Sequence, residues 1–348
     1  MNTPRTPRTP RTPRIPRIPR SPHIPRFPRT ATAAGLACIA LLAAVLPSIW
    51  QPPDPRPRSG AAARLPACGA RTGAAACVSL GPAAALGRGT VRTYSEYRNG
   101  TPQAVGVSLT ASSLRALPAA PTDGKHCHDT DGDGSTDPAH ECVGGHSLEL
   151  ALPGTPPGSA GLPFQWALFN WNPHGHNPHG RYDVPHFDVH FYLVPREVRA
   201  GIRTGGCALL IACDQLATAA QPIPAAYLPA GYPASSPQTA EGAMGAHLDS
   251  RPPTTGTLTG QTFIYGAYAG GLIFMEPMLT KDFLQRHRDP ATGHRSCEPV
   301  PQPAAWRTSG WYPTRYCTAY RPDQGDFTVS LTDFVHAAAS PRFAGTGS

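Results

Sequence analysis

The residues best suited to bind a metal lie between Asn170 and Val194, a stretch with five of the chain's fourteen histidines. After Pro185 apolar and polar residues alternate, which predicts a strand with two distinct faces. One face carries His186, Asp188 and His190, and the other carries apolar side chains. Neighbours on one face lie about 7 Å apart at their Cα atoms, close enough to contribute to one metal site. The pattern predicts a transition-metal site, with a hydrogen-bonded His/Asp network as the alternative.

A site on one strand needs ligands from elsewhere, and two later positions can supply them. His247 lies in a turn of small residues, and Glu276 follows a predicted hairpin at residues 262–275. The second strand of this hairpin is expected to carry Leu272, Phe274 and Glu276 on one face. A carboxylate in line with apolar residues must be paired or metal-bound to tolerate burial. Glu276 is therefore the acid that we most expect to bind a metal.

The elements that position these residues are predicted to be strands. Short alternating runs separated by Gly, Pro and Asn turns extend over residues 76–336. They favour one all-β domain, either an antiparallel sandwich or a barrel-like sheet with long loops and one or two short helices. Asn99-Gly100 and Ala269-Gly270 mark hairpin turns. Thr280 is expected to cap a short helix that continues to His287.

The two ends of the chain differ in composition from this domain. Residues 1–50 combine Pro-Arg triplets with an apolar run at residues 31–50, the arrangement of an export signal or of an uncleaved membrane anchor. Residues 51–75 predict a disordered tether, and residues 337–348 predict a disordered tail. The protein is therefore expected to be exported, whether periplasmic, secreted or anchored outside the cytoplasm. Membrane contact is expected only through residues 31–50.

The net charge of +8 does not indicate a nucleic-acid partner. Residues 1–66 hold eleven Arg and one Asp, so the other residues contain 19 basic and 21 acidic side chains. The folded part is therefore slightly acidic, and the basic character belongs to the leader. We expect no binding of nucleic acid.

Eight cysteines follow the one in the apolar run, and they fall into four couples that are close in sequence. An oxidising compartment favours disulfides, and zinc coordination by thiolates is the alternative. No Cys-x-x-Cys pair occurs, which favours disulfides. The predicted couples are Cys68 with Cys77, Cys127 with Cys142, Cys207 with Cys213, and Cys297 with Cys317.

An acidic insert at residues 123–142 contains a second metal-binding pattern. Oxygen-bearing side chains alternate along it and a glycine permits a sharp turn, as calcium loops require. The departure is at the twelfth position of the loop, where His140 stands and Glu141 comes one residue late. The insert is therefore not an EF-hand, and a solvated acidic turn is the alternative to calcium binding. The expected calcium ligands are Asp129, Asp131, Asp133 and Asp137.

Five motifs together resemble an exported bacterial family of domains of unknown function. The family signature reads WNPxGHxPxGxYDxPHFDxHFY, then MGxHW, EPM and YYPTRY, and the likeness covers residues 77–335. Leu248 stands where the family has Trp, and the acidic insert is additional. The motifs in this chain are residues 171–176, 182–192, 244–247, 276–278 and 311–316.

The resemblance implies a β-rich fold that assembles into homo-oligomers. It also implies that the ligands of one metal site are His176, His186, His190, His247 and Glu276. Asp188, together with Tyr182, is expected to lie behind these ligands and to orient an imidazole. Such a set suits Zn²⁺ and would also suit Fe, Mn, Ni or Cu. His174 and His179 are expected to be loop surface.

Two classes of function fit these observations. In the first, the protein is a structural or stress-related envelope protein, and the metal ties the strand at residues 186–194 to the hairpin. In the second, it is a metalloenzyme with an open coordination position and Arg181 or Tyr182 near a small-molecule substrate. A closed site with four ligands would favour the first class, and an open position facing a pocket the second. No nucleophile motif is present, which favours the first class.

Overall fold

A computed structural model describes residues 65–69, 75–250 and 256–340 of the 348-residue chain. The predicted leader at residues 1–50, most of the tether at residues 51–75 and the end of the tail at residues 341–348 lie outside these ranges. Within them, no helix has the length and apolar character needed to cross a membrane.

The regular structure of the described residues is almost entirely strand, which confirms the all-β prediction. Three short α-helices are present rather than one or two: α1 (Arg196–Ala200), α2 (Leu216–Ala219) and α3 (Lys281–Arg286). The strands are β1 (Ala76–Leu86), β2 (Gly89–Arg98), β3 (Thr101–Thr110), β4 (His146–Ala151), β5 (Trp166–Asn172), β6 (His186–Tyr192), β7 (Thr204–Cys207), β8 (Ala240–Glu241), β9 (Gly245–Asp249), β10 (Gln261–Tyr268), β11 (Gly271–Thr280), β12 (Arg295–Pro299), β13 (Gly310–Arg321) and β14 (Asp326–Ala337).

Two antiparallel sheets form a sandwich around one main core. The six-stranded sheet has the order β1-β2-β3-β14-β13-β12, and the seven-stranded sheet has the order β4-β5-β6-β11-β10-β9-β8. Val107 and Val329 from the first sheet share this core with Phe169, Val189 and Phe191 from the second. Full burial of one such side chain stabilises the fold by about 1.5–3 kcal/mol. The apolar face predicted for β6 is therefore its core face.

The predicted hairpin turns are confirmed, and one of the hairpins contains a bulge. Asn99, Gly100, Ala269 and Gly270 all have positive φ, as tight hairpin turns require. Between β10 and β11 the register shifts, because Gly266 pairs with Phe274 whereas the next residue, Ala267, pairs with Leu272. The prediction that Leu272 shares a face with Phe274 and Glu276 is wrong. The bulge inserts an extra residue, so Leu272 packs on the main core and Phe274 on the opposite face.

The outer face of the seven-stranded sheet is covered by the segment at residues 195–243. Ile202, Ile211 and Ala219 from this segment pack on Trp166 and Tyr192, whose rings stack at 4.1 Å. Buried Arg199 of α1 donates to Glu149 of β4 across 2.9 Å and anchors the segment. The sheet is therefore buried on both faces over much of its area, which explains why every residue of β5 and β6 is buried.

The four disulfides join the cysteines in the predicted local couples. The bonds are Cys68–Cys77, Cys127–Cys142, Cys207–Cys213 and Cys297–Cys317. The first holds residues 65–69 against β1, where Ala67 pairs with Val78. This disulfide and this bridge therefore hold the described part of the predicted tether against the domain. At the other end Ser340 donates its N–H to Trp306, so residues 337–340 also contact the domain.

The sandwich core predicts a large loss of stability for the variant Phe191→Ala. Phe191 is fully buried and meets Phe164 edge to face at 5.8 Å, so truncation leaves a cavity and should cost about 3–5 kcal/mol in the free energy of unfolding. Urea unfolding followed by circular dichroism measures this difference. Val335→Ala is the control, because Val335 is 49% exposed and its truncation should change stability by no more than about 0.5 kcal/mol. Equal losses in the two variants would contradict the assigned core.

Candidate metal centre

Strand pairing gathers ionisable side chains on the outer face of the seven-stranded sheet. Between β6 and β11, Met275 pairs with Phe191 and Met278 with Asp188, so the register places Glu276 opposite His190. Between β9 and β10, His247 pairs with Gly266. Residues from three distant parts of the sequence therefore share one face.

These side chains form two groups rather than one. In each group, one possible ligand atom from each residue lies within 4.8 Å of the others. The loop triad consists of His176, His186 and Asp188, and it is named for the loop that carries His176. The sheet triad consists of His190, His247 and Glu276, all of which come from strands.

In the loop triad, backbone carbonyls determine which imidazole nitrogens face the centre. Nδ1 of His186 lies 2.7 Å from the carbonyl of Val184, and Nδ1 of His176 lies 2.6 Å from the carbonyl of Asn177. A carbonyl only accepts, so both Nδ1 atoms carry protons, and in the neutral rings both Nε2 atoms present lone pairs. Each Nε2 then lies 3.3 Å from an oxygen of Asp188.

The position of His176 depends on the loop that precedes β6. His176 forms a β-bridge with Tyr182, and the rings of these residues lie 5.5 Å apart. Gly175 has a φ of +77°, and a Cβ there would lie 1.9 Å from the carbonyl oxygen of Tyr182. The loop therefore closes over β6 only with glycine at this position. The hydroxyl of Tyr182 donates to Asp249, which also accepts from Arg181 at 2.8 Å.

In the loop triad, Asp188 and His176 shift each other's pKa. Burial opposes ionisation of Asp188, but the charge of His186 and the hydrogen bond from His176 hold the pKa of this carboxyl well below its usual range. Burial likewise disfavours the imidazolium of His176, but the hydrogen bond and charge of Asp188 prevail and raise its pKa to about 9. Without a metal, His176 and Asp188 form an ion pair at neutral pH. A proton and a metal ion would compete for the same Nε2 atom.

The sheet triad is more deeply buried and has few hydrogen bonds. The side chains of His190 and Glu276 are each 1% exposed, and Nε2 of His190 lies 3.5 Å from Oε1 of Glu276. Both ring nitrogens of His190, Nδ1 of His247 and Oε2 of Glu276 have no hydrogen-bond partner among the described residues. The ring of Phe274 packs 4.7 Å from the ring of His190.

Burial dominates the titration of the sheet triad. It lowers the pKa of His190 to about 3 and also lowers the pKa of His247. It raises the pKa of Glu276 well above its usual range, and the negative charges of Asp188 and Glu241 act in the same direction. Without a cation, burial therefore favours the neutral forms of all three residues, in contrast with the ion pair in the loop triad.

A cleft of about 750 Å³ reaches both triads. His176, with 27% of its side chain exposed, and His247, with 18%, line this cleft together with Glu241. The remaining wall is largely apolar and includes Tyr232, Pro233, Ile264 and Met278. His176 and Glu241 also line a second cavity of about 460 Å³ beside the acidic insert. The loop triad is thus accessible from outside, whereas His190 and Glu276 are not.

The arrangement differs from the predicted single site in two respects. The five expected ligands are divided between the triads, because His186 and His190 lie four positions apart on one face of β6 and therefore meet different neighbours. Asp188, which was expected behind the ligands, lies within ligand distance of His176 and His186. The ring of Tyr182 lies 5.5 Å from that of His176, and the role expected of Tyr182 stays a prediction. His174 and His179 are exposed and belong to neither triad.

Two residues near the triads were not anticipated from the sequence. Asn172 donates to Asp188 across 2.6 Å, and its amide nitrogen also lies 3.2 Å from Nε2 of His186. It lies in β5 opposite His186, so a search for polar residues two positions apart in β5 could have found it. Glu241 lies 3.8 Å from Nδ1 of His247. Its strand has only two residues, so no periodic pattern indicates its orientation.

The acidic insert brings together three of the four expected calcium ligands, namely Asp129, Asp131 and Asp133. Asp137 instead pairs with His140 at 2.7 Å. Glu141 does not replace the missing twelfth ligand, because its carboxylate accepts from the backbone N–H groups of Thr130 and Asp137. Calcium binding by this loop stays a prediction.

Comparison with protein-family models, with curated proteins and with solved structures gives no match to this chain. The resemblance to the exported family therefore stays a prediction.

The acidic insert predicts a pH-dependent contribution of Glu141 to stability. Hydrogen bonds from the side chain of Thr130 and from the backbone of Asp137 and Thr130 lower the pKa of Glu141 from 4.5 to about 2. The stabilisation is therefore fully present above pH 4.5 and is lost as the pH falls toward 2. With a chelator present, Glu141→Gln should lower the melting temperature at pH 7, and the difference from the wild type should shrink by about pH 3.

The control for this measurement is Glu298→Gln, because Glu298 is exposed on β12 and should leave the melting temperature nearly unchanged at both pH values. A difference between Glu141→Gln and the wild type that stays constant from pH 7 to about pH 3 would contradict the assigned hydrogen bonds.

Proposed function

We propose that this protein is an exported β-sandwich protein that binds a divalent transition metal at the loop triad and presents the metal to a small molecule in the adjoining cleft. The observation that carries this proposal is the convergence of the Nε2 atoms of His176 and His186 on the carboxylate of Asp188. Two histidines and one carboxylate are a common set for transition metals with open coordination positions. Zn²⁺ is the first ion to test.

The distances in the loop triad also suit a shared metal ion. Charge-assisted hydrogen bonds between nitrogen and oxygen are about 2.7–2.9 Å long. Nε2 of His176 lies 3.3 Å from Oδ2 of Asp188, and Nε2 of His186 lies 3.3 Å from Oδ1 of Asp188. Two ligands on a tetrahedral zinc ion with bonds of about 2.0–2.1 Å lie about 3.3–3.4 Å apart. The spacing therefore suits atoms that share an ion.

The carbonyl contacts and Asn172 supply the support that metal-binding residues need. An imidazole that donates its other N–H to a carbonyl keeps one tautomer and one orientation. Asn172 restrains Asp188 in the same way through the hydrogen bond of 2.6 Å. These contacts hold the ligand atoms in position before an ion binds.

Access from the cleft supports a reactive or ligand-binding metal rather than a purely structural one. Three protein ligands leave at least one position of a four-coordinate ion free. The apolar wall of the cleft suits an uncharged or weakly polar molecule with one metal-binding group. Of the two classes of function, the cleft favours a metalloenzyme. Calcium binding by the acidic insert, export and assembly into homo-oligomers remain predictions.

Metal content tests the proposal directly. Elemental analysis of purified full-length protein should find zinc, and the zinc content per chain should fall by about one equivalent in His186→Ala, because a ligand is lost. Asn172→Ala should keep the ion but weaken its affinity about 10- to 100-fold, because only the support of Asp188 and His186 is removed. Isothermal titration calorimetry of the demetallated proteins measures this change.

His174→Ala is the matched control, because His174 is an exposed histidine of the same loop that belongs to neither triad. It should retain the metal content and affinity of the wild type. Equal metal content in wild type and His186→Ala would refute the loop triad as a metal site.

Binding of an added ligand tests whether the metal at the loop triad has a free coordination position. In Co²⁺-substituted protein, azide should change the visible absorption spectrum in a saturable manner, because it occupies the free coordination position. The same titration of His186→Ala should give no such change. A spectrum of the wild type that azide leaves unaltered would mean that the metal site is closed, and the structural class of function would then be favoured.

A further inference from the structure

The sheet triad contains buried polar atoms that the proposed metal at the loop triad leaves without partners. Neither ring nitrogen of His190 has a hydrogen bond within the described part of the chain, and Oε2 of Glu276 also lacks one. Both side chains are 1% exposed. Buried polar groups are nearly always satisfied by protein, water or an ion, because their desolvation is otherwise uncompensated. Two such residues in contact therefore indicate a missing partner.

The geometry suits a cation as that partner. The distance of 3.5 Å between Nε2 of His190 and Oε1 of Glu276 is longer than an ordinary hydrogen bond. It is close to the separation of about 3.4 Å between two ligands on a tetrahedral zinc ion. His247 completes a set whose ligand atoms lie within 4.8 Å of one another. Glu241 adds negative charge 3.8 Å from Nδ1 of His247.

We propose that the sheet triad binds a second divalent transition metal ion, distinct from the ion at the loop triad. The ligands of this second ion come from β6, β9 and β11, so the ion joins three strands of the seven-stranded sheet. The position of the ion between buried His190 and Glu276 gives it a structural role. This inference does not depend on occupancy of the loop triad.

A single shared ion does not account for both triads. His186 and His190 are four positions apart on one strand, so their Cα atoms lie about 13 Å apart. Their side chains contact different partners, since His186 meets Asp188 whereas His190 meets Glu276. The six ligand residues thus provide three ligands for each of two ions.

Zinc stoichiometry of the full chain tests the second ion. Demetallated protein is titrated with Zn²⁺ in excess Ca²⁺, so that the acidic insert does not contribute, and bound zinc is measured by elemental analysis after gel filtration. The wild type and the control His174→Ala should bind two equivalents. Glu276→Gln, which preserves shape and removes the charge, should bind one, and so should His186→Ala. His247→Gln, at a more exposed position, replaces Glu276→Gln if that variant does not fold.

Any other stoichiometry contradicts the proposed second ion, and each result identifies a different alternative. One equivalent in the wild type that persists in Glu276→Gln and disappears in His186→Ala would leave the proposed function intact without a second ion. One equivalent that disappears in both variants would mean one shared ion. If Glu276→Gln and His247→Gln both still bound two equivalents of zinc, the second ion would bind outside the sheet triad. No zinc in the wild type would overturn both this inference and the proposed function.

Discussion

The structure depends on one constraint, namely that β6 carries ionisable side chains on a face that is closed off from water. Its other face, with Phe187, Val189 and Phe191, belongs to the core of the sandwich, so the strand cannot rotate to expose its polar side. The segment at residues 195–243 then covers much of the polar face. A buried charge must be paired, neutralised or bound to a metal. The loop before β6 and the strands β9 and β11 supply the side chains that meet this requirement.

The two triads meet the requirement differently because their exposure differs. The loop triad lies under a single loop and beside the cleft, so its charges persist as an ion pair in which His176 and Asp188 stabilise each other. The sheet triad lies under Phe274, and burial instead favours the neutral forms of His190 and Glu276. Asp188 and His190, two positions apart on one strand, therefore differ: the first belongs to a charged pair, and burial favours the neutral form of the second. In the two proposals, the structural and the reactive functions that the sequence left as alternatives correspond to two places in the molecule.

Alternation and turn signals in the sequence were sufficient to predict the strands, the hairpins and the polar face of β6, because these features depend on local chemistry. The division of the ligands into two triads was not predictable, because it depends on which distant strands pair. Nothing local reveals that Glu276 falls opposite His190 or that Glu241 points toward His247.

The misassignment of Leu272 has a related cause. A single bulged residue reverses the side-chain alternation, and neither composition nor spacing marks the bulge.

The covalent cross-links and the metal ligands differ in how far apart they lie along the chain. The four disulfides close loops of 6 to 20 residues, so each can form as soon as its own hairpin or loop has been synthesised. The proposed ligands run from residue 176 to residue 276, and they meet only after β11 has paired with β6, β10 with β11 and β9 with β10. Contacts of such long sequence separation form late, because the intervening chain must first be ordered. During biogenesis, oxidation can therefore precede metallation, and a bound ion would report that β6, β11, β10 and β9 have paired.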